Sequence, residues 1–309
     1  MQPVETISIV GVGLLGGALA TALQKSKLAK TIVGVDQNKE HLKSSLEMGQ
    51  LTSATTDLAE GVAGADVVIF CTPVEIIPTL LNQALSHVPD HTLFTDVGSV
   101  KGTLTSQIPY DLGKGRHFLG AHPLAGSEKS GPQNAWDNFF YKKYVLINLP
   151  TEWLRESEAI NKPLTIESEV VTNLRKERPP LDFLCLFWQT LGGTLLFTTA
   201  TLHDNIMAEI SHFPHLVASL LAAETPEAWL DIVGPGWQST TRVASGELLL
   251  WQQIIRQNKA EIIQKLTTTL ETLNCLKNEL EQNEFGTLWQ ILERGKQNRD
   301  TVANRNSTS

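Results

Sequence analysis

Thr6-Ile-Ser-Ile-Val10-Gly11-Val-Gly13-Leu14-Leu15-Gly16 decides how the first half of this 309-residue chain is read. A short β-branched run ends in glycine, and the G-x-G-x-x-G spacing of Gly11, Gly13 and Gly16 opens a helical pattern rich in Ala and Leu over residues 15–24. In that setting the first glycine permits a tight turn and the second lets backbone approach a pyrophosphate. The third lets the helix pack on the strand, and the helix amino terminus offers free N–H groups and partial positive charge. Asp36 closes the next apolar run, 31–35, about 20 residues beyond the last glycine, where a carboxylate accepts hydrogen bonds from ribose hydroxyls. That carboxylate repels a 2′-phosphate, and neither Gln37 nor Asn38 is an arginine to hold one. NAD is therefore favoured over NADP, with Lys39 leaving NADP open. Leu14, Leu15, Thr72 and Pro73 complete the expected cofactor-facing set.

Outward from this loop, further apolar runs at 65–70, 92–95, 117–121 and 144–148 alternate with helix-length stretches around 38–49, 74–87 and 101–108. Runs without period-two alternation imply burial on both faces, the mark of a parallel sheet covered by helices. The expected fold is α/β: a Rossmann-type doubly wound sheet followed by an all-helical segment. Residues 1–198 form the dinucleotide-binding domain, with a last strand at 194–198 and an insertion or mobile excursion at 151–180. Residues 199–296 form the helical domain, and 297–309 an unstructured tail.

Twenty-five Lys+Arg against 33 Asp+Glu leave a net charge of −8, which builds no positive footprint for nucleic acid. Cys71, Cys185 and Cys275 are far apart without a CxxC, as expected of reduced thiols in a cytoplasm. Residues 6–24 lack any charged residue, but the preceding Met1-Gln2-Pro3-Val4-Glu5 is not basic and glycines interrupt the run. A secretory leader is not expected, and no other stretch reads as long enough to cross a bilayer.

Two loops follow strand carboxyl ends, where open α/β sheets bind ligands. One is Thr95-Asp-Val-Gly-Ser99-Val-Lys101; the other is Gly120-Ala-His122-Pro-Leu-Ala-Gly126-Ser-Glu128-Lys-Ser-Gly131. His122, at a strand tip before a proline, suits a base that takes a hydroxyl proton while hydride leaves the same carbon. In the helical half, His203-Asp204 and Ser211-His212-Phe-Pro-His215 add imidazoles, but Pro214 interrupts the helix between the last two and no metal site is expected. Arg242, delivered by a small-residue loop, is a natural anchor for a carboxylate substrate or else an exposed surface arginine. Trp251 by its periodicity is a core residue.

Five motifs carry a resemblance to the prephenate/arogenate dehydrogenases of tyrosine biosynthesis: GVGLLGG at 11–17, TDVGSVKG at 95–102, GAHPLAGSEKSG at 120–131, SHFPH at 211–215 and TTRVA at 240–244. The resemblance implies hydride transfer from C4 of a cyclohexadienyl ring to NAD, loss of the C4 hydroxyl proton and departure of CO2. It implies that His122 polarises the hydroxyl, Ser99 orients that network and Arg242 anchors a substrate carboxylate. It also implies that Glu128 tunes the pocket and His215 lines it. Trp251 would reach into a neighbouring subunit's pocket, Asp204 would support the interface, and the helical domain would form a homodimer around a small dicarboxylate substrate. Gln238-Ser239 stand where the family often has a basic residue and an acid, which leaves prephenate against arogenate unassigned. Neither a chorismate mutase segment nor a sensory domain is expected. Rival readings are a β-hydroxyacid or 6-phosphogluconate-type dehydrogenase, and a non-catalytic NAD(H)-sensing protein.

Overall fold

The computed structural model describes residues 4–127, 129–154 and 161–307. Among them, strands β1 Val4–Val10, β2 Ala29–Val35, β3 Ser53–Thr55, β4 Val67–Phe70, β5 Leu93–Asp96, β6 His117–Pro123, β7 Tyr144–Asn148, β8 Leu164–Thr165 and β9 Thr194–Thr198 make one sheet. Its order is β3-β2-β1-β4-β5-β6-β7-β9-β8. From β3 to β6 every pairing is parallel; β7 then runs antiparallel to β6, and β8 antiparallel to β9. Helices α1 Leu14–Ser26, α2 Lys39–Glu47, α3 Leu58–Val62, α4 Ile77–Ala84, α5 Gly102–Gln107, α6 Glu169–Glu177 and α7 Pro179–Thr190 connect the strands.

The unbroken apolar strands follow from burial on both sides. In β4, Val67 and Ile69 join one buried cluster with Ile7, Ile9 and Leu119, while Val68 and Phe70 join the opposite one with Phe94 and Phe118. Each such side chain contributes about 1.5–3 kcal/mol when removed from water. Ser8 is buried in β1 because its hydroxyl donates to Gly61 O at 2.5 Å.

Two short strands escape the sequence pattern, β3 and β8, since neither is long enough to show a period. The expected excursion at 151–180 is corrected in part: β8 pairs with β9, and α6 buries Val171 and Leu174. An Arg175–Asp182 contact at 2.7 Å ties α6 to α7.

After β9 the chain is helical. Helix α8 Ala200–Met207 passes through a π-helical turn, Ala208–His212, into α9 Phe213–Glu224; α10 Pro235–Thr241, a 3-10 turn Arg242–Ser245 and α11 Leu248–Gln257 follow. Pro214 does not break the helix, because it lies in the first turn after the π segment, where a missing N–H costs little. The run 200–224 is long and apolar enough to cross a membrane by length and composition, contrary to the sequence expectation. It nevertheless buries His203, Asp204, His212 and His215 against other protein groups.

The chain divides into two compact units, one ending at Asn258 and one beginning at Lys259. The second holds α12 Lys259–Glu281 and α13 Gly286–Ser307. Glu279 accepts from the Thr287 amide across their turn, and Phe285 stacks on Trp289. The tail expected from 297 is corrected: α13 continues to Ser307, with a Lys296–Asp300 pair one turn apart.

Candidate active site

The dinucleotide loop is built by close approach. Gly11 has φ +97°, and a Cβ there would lie 2.7 Å from the Cys71 carbonyl; a Cβ on Gly16 would collide with Gly11 O. A Cβ on Gly13 would meet no protein atom. Gly13 also caps α1, whose first turn has neither a side-chain cap nor an acidic residue, so its amides remain for an anion. Asp36, half-buried after β2, accepts from Val12 N at 2.6 Å and Asn38 N at 2.8 Å, with the His41 ring 3.9 Å away. Thr72 lies against Gly11, and its buried hydroxyl has no partner among the described residues. Pro73 follows as the cap of a short 3-10 turn. Open space over the helix amino terminus, a carboxylate at the end of β2 and a hydroxyl without a partner among the described residues suit a dinucleotide. Cys71, in contrast, is a thiol whose burial pushes its pKa upward, as a packing role requires.

The second half of the site forms where β5, β6 and α8 meet. His122 Nδ1 lies 2.9 Å from His203 Nε2, and His203 Nδ1 lies 2.7 Å from Asp204 Oδ1. Asp204 also accepts from Lys101 N at 2.8 Å and from Gly102 N at 2.7 Å, so it caps α5 from a distant segment. Gly102 is required there, because a Cβ would fall 2.8 Å from Asp204 Oδ2. Below it, the fully buried Lys101 ammonium donates to Asp96 Oδ2 and to Gly98 O, each at 2.6 Å. Burial presses Asp96 and Lys101 toward their neutral forms, and their contact draws both back. This pair braces the loop that carries half-buried Ser99.

Burial, then the neighbouring His203, Lys101 and His212, holds the pKa of His122 well below that of a free imidazole. His203 is depressed likewise, first by burial and then by Lys101 and His212. Asn258, capping α11, donates to Asp204 O at 2.7 Å and sits 2.9 Å from His212 Nδ1. His215 stacks on Trp251 with centroids 3.5 Å apart and an interplanar angle of 10°, and His212 meets the same indole edge-on. His215 also shares a backbone hydrogen bond with Val243, so the Arg242 turn is fastened to α9. Arg242 itself is exposed and has no acidic partner among the described residues.

Of the residues singled out in the sequence, the fold thus joins His122, through His203, Asp204, Asn258 and His212, to His215 and Trp251. Asp204 is buried against the α5 amino end, where two amides and an imidazole claim its oxygens. Trp251 stacks on His215 of its own chain. Glu128 lies outside the described residues. Lys101, Asp96, His212 and Asn258 were missed. The buried dyad His203-Asp204 at a helix start was a visible signal, whereas Asn258 has none in its neighbours.

Two family models match the chain: the prephenate dehydrogenase nucleotide-binding domain over residues 19–170 and the prephenate dehydrogenase dimerization domain over 199–294. Prephenate dehydrogenase of Bacillus subtilis (strain 168) is 28% identical over 306 residues, covering 97% of this chain and 76% of that protein. Cyclohexadienyl dehydrogenase of Zymomonas mobilis is 23% identical over 291 residues, 90% of this chain and 89% of that protein. Among solved structures, prephenate dehydrogenase from Aquifex aeolicus in complex with hydroxyphenyl propionate and NAD+ superposes with a TM-score of 0.80 at 26% identity, covering 96% and 98% of the two chains.

Proposed function

The chain belongs to the prephenate dehydrogenase family, and from that premise we propose how its residues carry out an NAD-linked oxidative decarboxylation of a cyclohexadienyl acid in tyrosine biosynthesis. The observation that carries the assignment is the buried, neutral His122 at the end of β6. Its Nδ1 is engaged by His203, which leaves the Nε2 edge for substrate. His122 accepts the proton of the C4 hydroxyl as that carbon is oxidised. When bound at the Gly11–Gly16 loop, NAD supplies the hydride acceptor. The ring carboxylate then departs as CO2, and its electron pair flows through the ring to the C4 oxygen. That oxygen ends as a phenol, so the proton lent to His122 must be returned to it. The base is a temporary holder, for which a neutral imidazole with a depressed pKa is suited.

Arg242 is the proposed anchor for a substrate carboxylate; its support is a guanidinium without an acidic partner among the described residues, on a turn tied to His215, since such a group binds a carboxylate through two parallel hydrogen bonds. Ser99, on the loop braced by Lys101, is proposed to orient the hydroxyl network, and His215 and Trp251 to line the pocket. Asp36 favours NAD. We also retain a division at 198/199, supported by the start of the second family match, a cytoplasmic setting and a homodimer. Exposed Ile210, Leu220, Trp229, Leu248 and Leu249 support the last of these; a monomer mass by sedimentation would remove it.

A four-way assay crossing prephenate and arogenate with NAD and NADP, followed by reduced-nicotinamide absorbance, tests the reading. Turnover with NAD and at least one of the two acids is expected. Binding of NADH without turnover of either acid would overturn it.

A further inference from the structure

We propose that His203 and Asp204 are positioning residues which fix the tautomer of His122 and take up its positive charge, making Nε2 of His122 the atom that receives and returns the substrate proton. This deepens the reading above and rests on it for the identity of the base.

The hydrogen-bond roles follow from one end. The backbone amides of Lys101 and Gly102 are obligatory donors, so both oxygens of Asp204 accept. Asp204 is assigned as a carboxylate: its two amide donors favour the charged form against burial, and the one alternative, an acid proton on Oδ1 donated to His203 Nδ1, would reverse both imidazoles. His203 Nδ1, at 2.7 Å from Oδ1, must then be its N–H. A neutral ring protonated at Nδ1 has its lone pair on Nε2, which faces His122 Nδ1 at 2.9 Å. That nitrogen of His122 must therefore donate, and its lone pair is left on Nε2. Burial favours the neutral form of both rings, so no cation intervenes in the resting chain. The opposite order would place a lone pair against a carboxylate or two N–H groups against each other.

The same line carries charge in the reaction. The substrate proton arrives at Nε2 of His122, and the proton on its Nδ1 crosses to His203 Nε2. His122 is again neutral, and the cation lies on His203 beside the Asp204 carboxylate. The reverse movement delivers the proton to the phenolic oxygen. Two other groups set the local field: Lys101, already paired with Asp96, and His212, held by Asn258. Both disfavour a cation on His122 itself, which is why the carboxylate end of the line matters.

If Asp204 were only a remote cap for α5, its loss would lower stability and leave turnover intact. The test uses the full-length chain labelled with 15N-histidine. Long-range proton–nitrogen spectra are expected to show His122 and His203 both protonated at Nδ1, with signals assigned by their loss in His122→Asn and His203→Gln. An Nε2-protonated His122 would overturn the proposal, and this arm needs no turnover, so it stands whatever becomes of the proposed reaction. In kinetics, Asp204→Asn presents an N–H to His203 and reverses the order of donors. A fall in kcat of about 10²-fold or more is expected, with KM and the NADH dissociation constant within about threefold of the parent. His203→Gln, which cannot hold a proton, is expected to match it. A kcat within about threefold of the parent in either variant that still binds NADH would overturn the proposal; should Asp204→Asn fail to fold, His203→Gln and the parent spectrum still decide.

Discussion

His122 is held as a neutral imidazole by burial and by three nearby cationic or potentially cationic groups. Its Nδ1 edge is bonded to His203 inside the protein, and its Nε2 edge is the one proposed to meet substrate. His122→Asn is expected to bind NADH as the parent does and to lose kcat by about 10²–10⁴-fold, the usual worth of a positioned base. Unchanged turnover in a steady-state assay would remove the assignment. Arg242 is its proposed counterpart, as the anchor for a substrate carboxylate. Arg242→Gln should chiefly raise KM, because the carboxylate is bound equally in ground and transition states. A loss confined to kcat would argue for a different role. The resting fate of these side chains illustrates why residue type alone misleads. Asp204 stands in the sequence as an acid beside His203, and nothing in that pairing tells that two amides of a distant loop also engage it.

At the scale of elements, the loop between β5 and α5 is a braced structure. A fully buried Lys101–Asp96 pair holds its underside, and Asp204 of α8 caps its helix. Lys101→Met leaves an unpaired buried carboxylate and is expected to cost about 3–5 kcal/mol in denaturant unfolding. Adding Asp96→Leu should restore most of that stability, since apolar side chains replace a buried pair at little cost. A single variant as stable as the parent would show that the pair is not braced as described. The π turn at 208–212 works at the same scale. Its extra residue re-phases the helix so that His203, Asp204, Ala208, His212 and His215 all lie on the buried side; π turns recur at functional sites for this reason. No local pattern in Ala-Glu-Ile-Ser-His announces it.

For the molecule as a whole, burying neutral imidazoles makes folding depend on pH. His212 is pushed down to about 4, mainly by burial, against an ordinary 6.5 in the unfolded chain. Above 6.5 neither state holds the proton. As pH falls from 6.5 toward 4 the unfolded chain binds a proton that the folded one refuses, so stability is lost over that window. For His212 the loss is roughly 3 kcal/mol at most, with His122 and His203 acting in the same sense and the raised Asp96 and Asp204 opposing them. Tm should fall between pH 6.5 and 5, and fall less in His212→Asn. Equal slopes in the two proteins would show that His212 is not buried neutral.

Strand runs and the glycine loop were legible because their causes are local. Burial on both faces demands unbroken apolar strands, and close backbone approach demands glycine, so β1, α1, β2 and Asp36 stand in the chain much as they stand in space. His122 was legible for a similar reason, as a polar ring at a strand tip. What joins His122 to His203 and Asp204, and through Asn258 to His212, spans separations of 81, 54 and 46 residues. Such contacts arise only when helices pack on the sheet edge, and no spacing rule relates their members. Tautomers and depressed pKa values depend on that packing, because they are set by which groups exclude water from which.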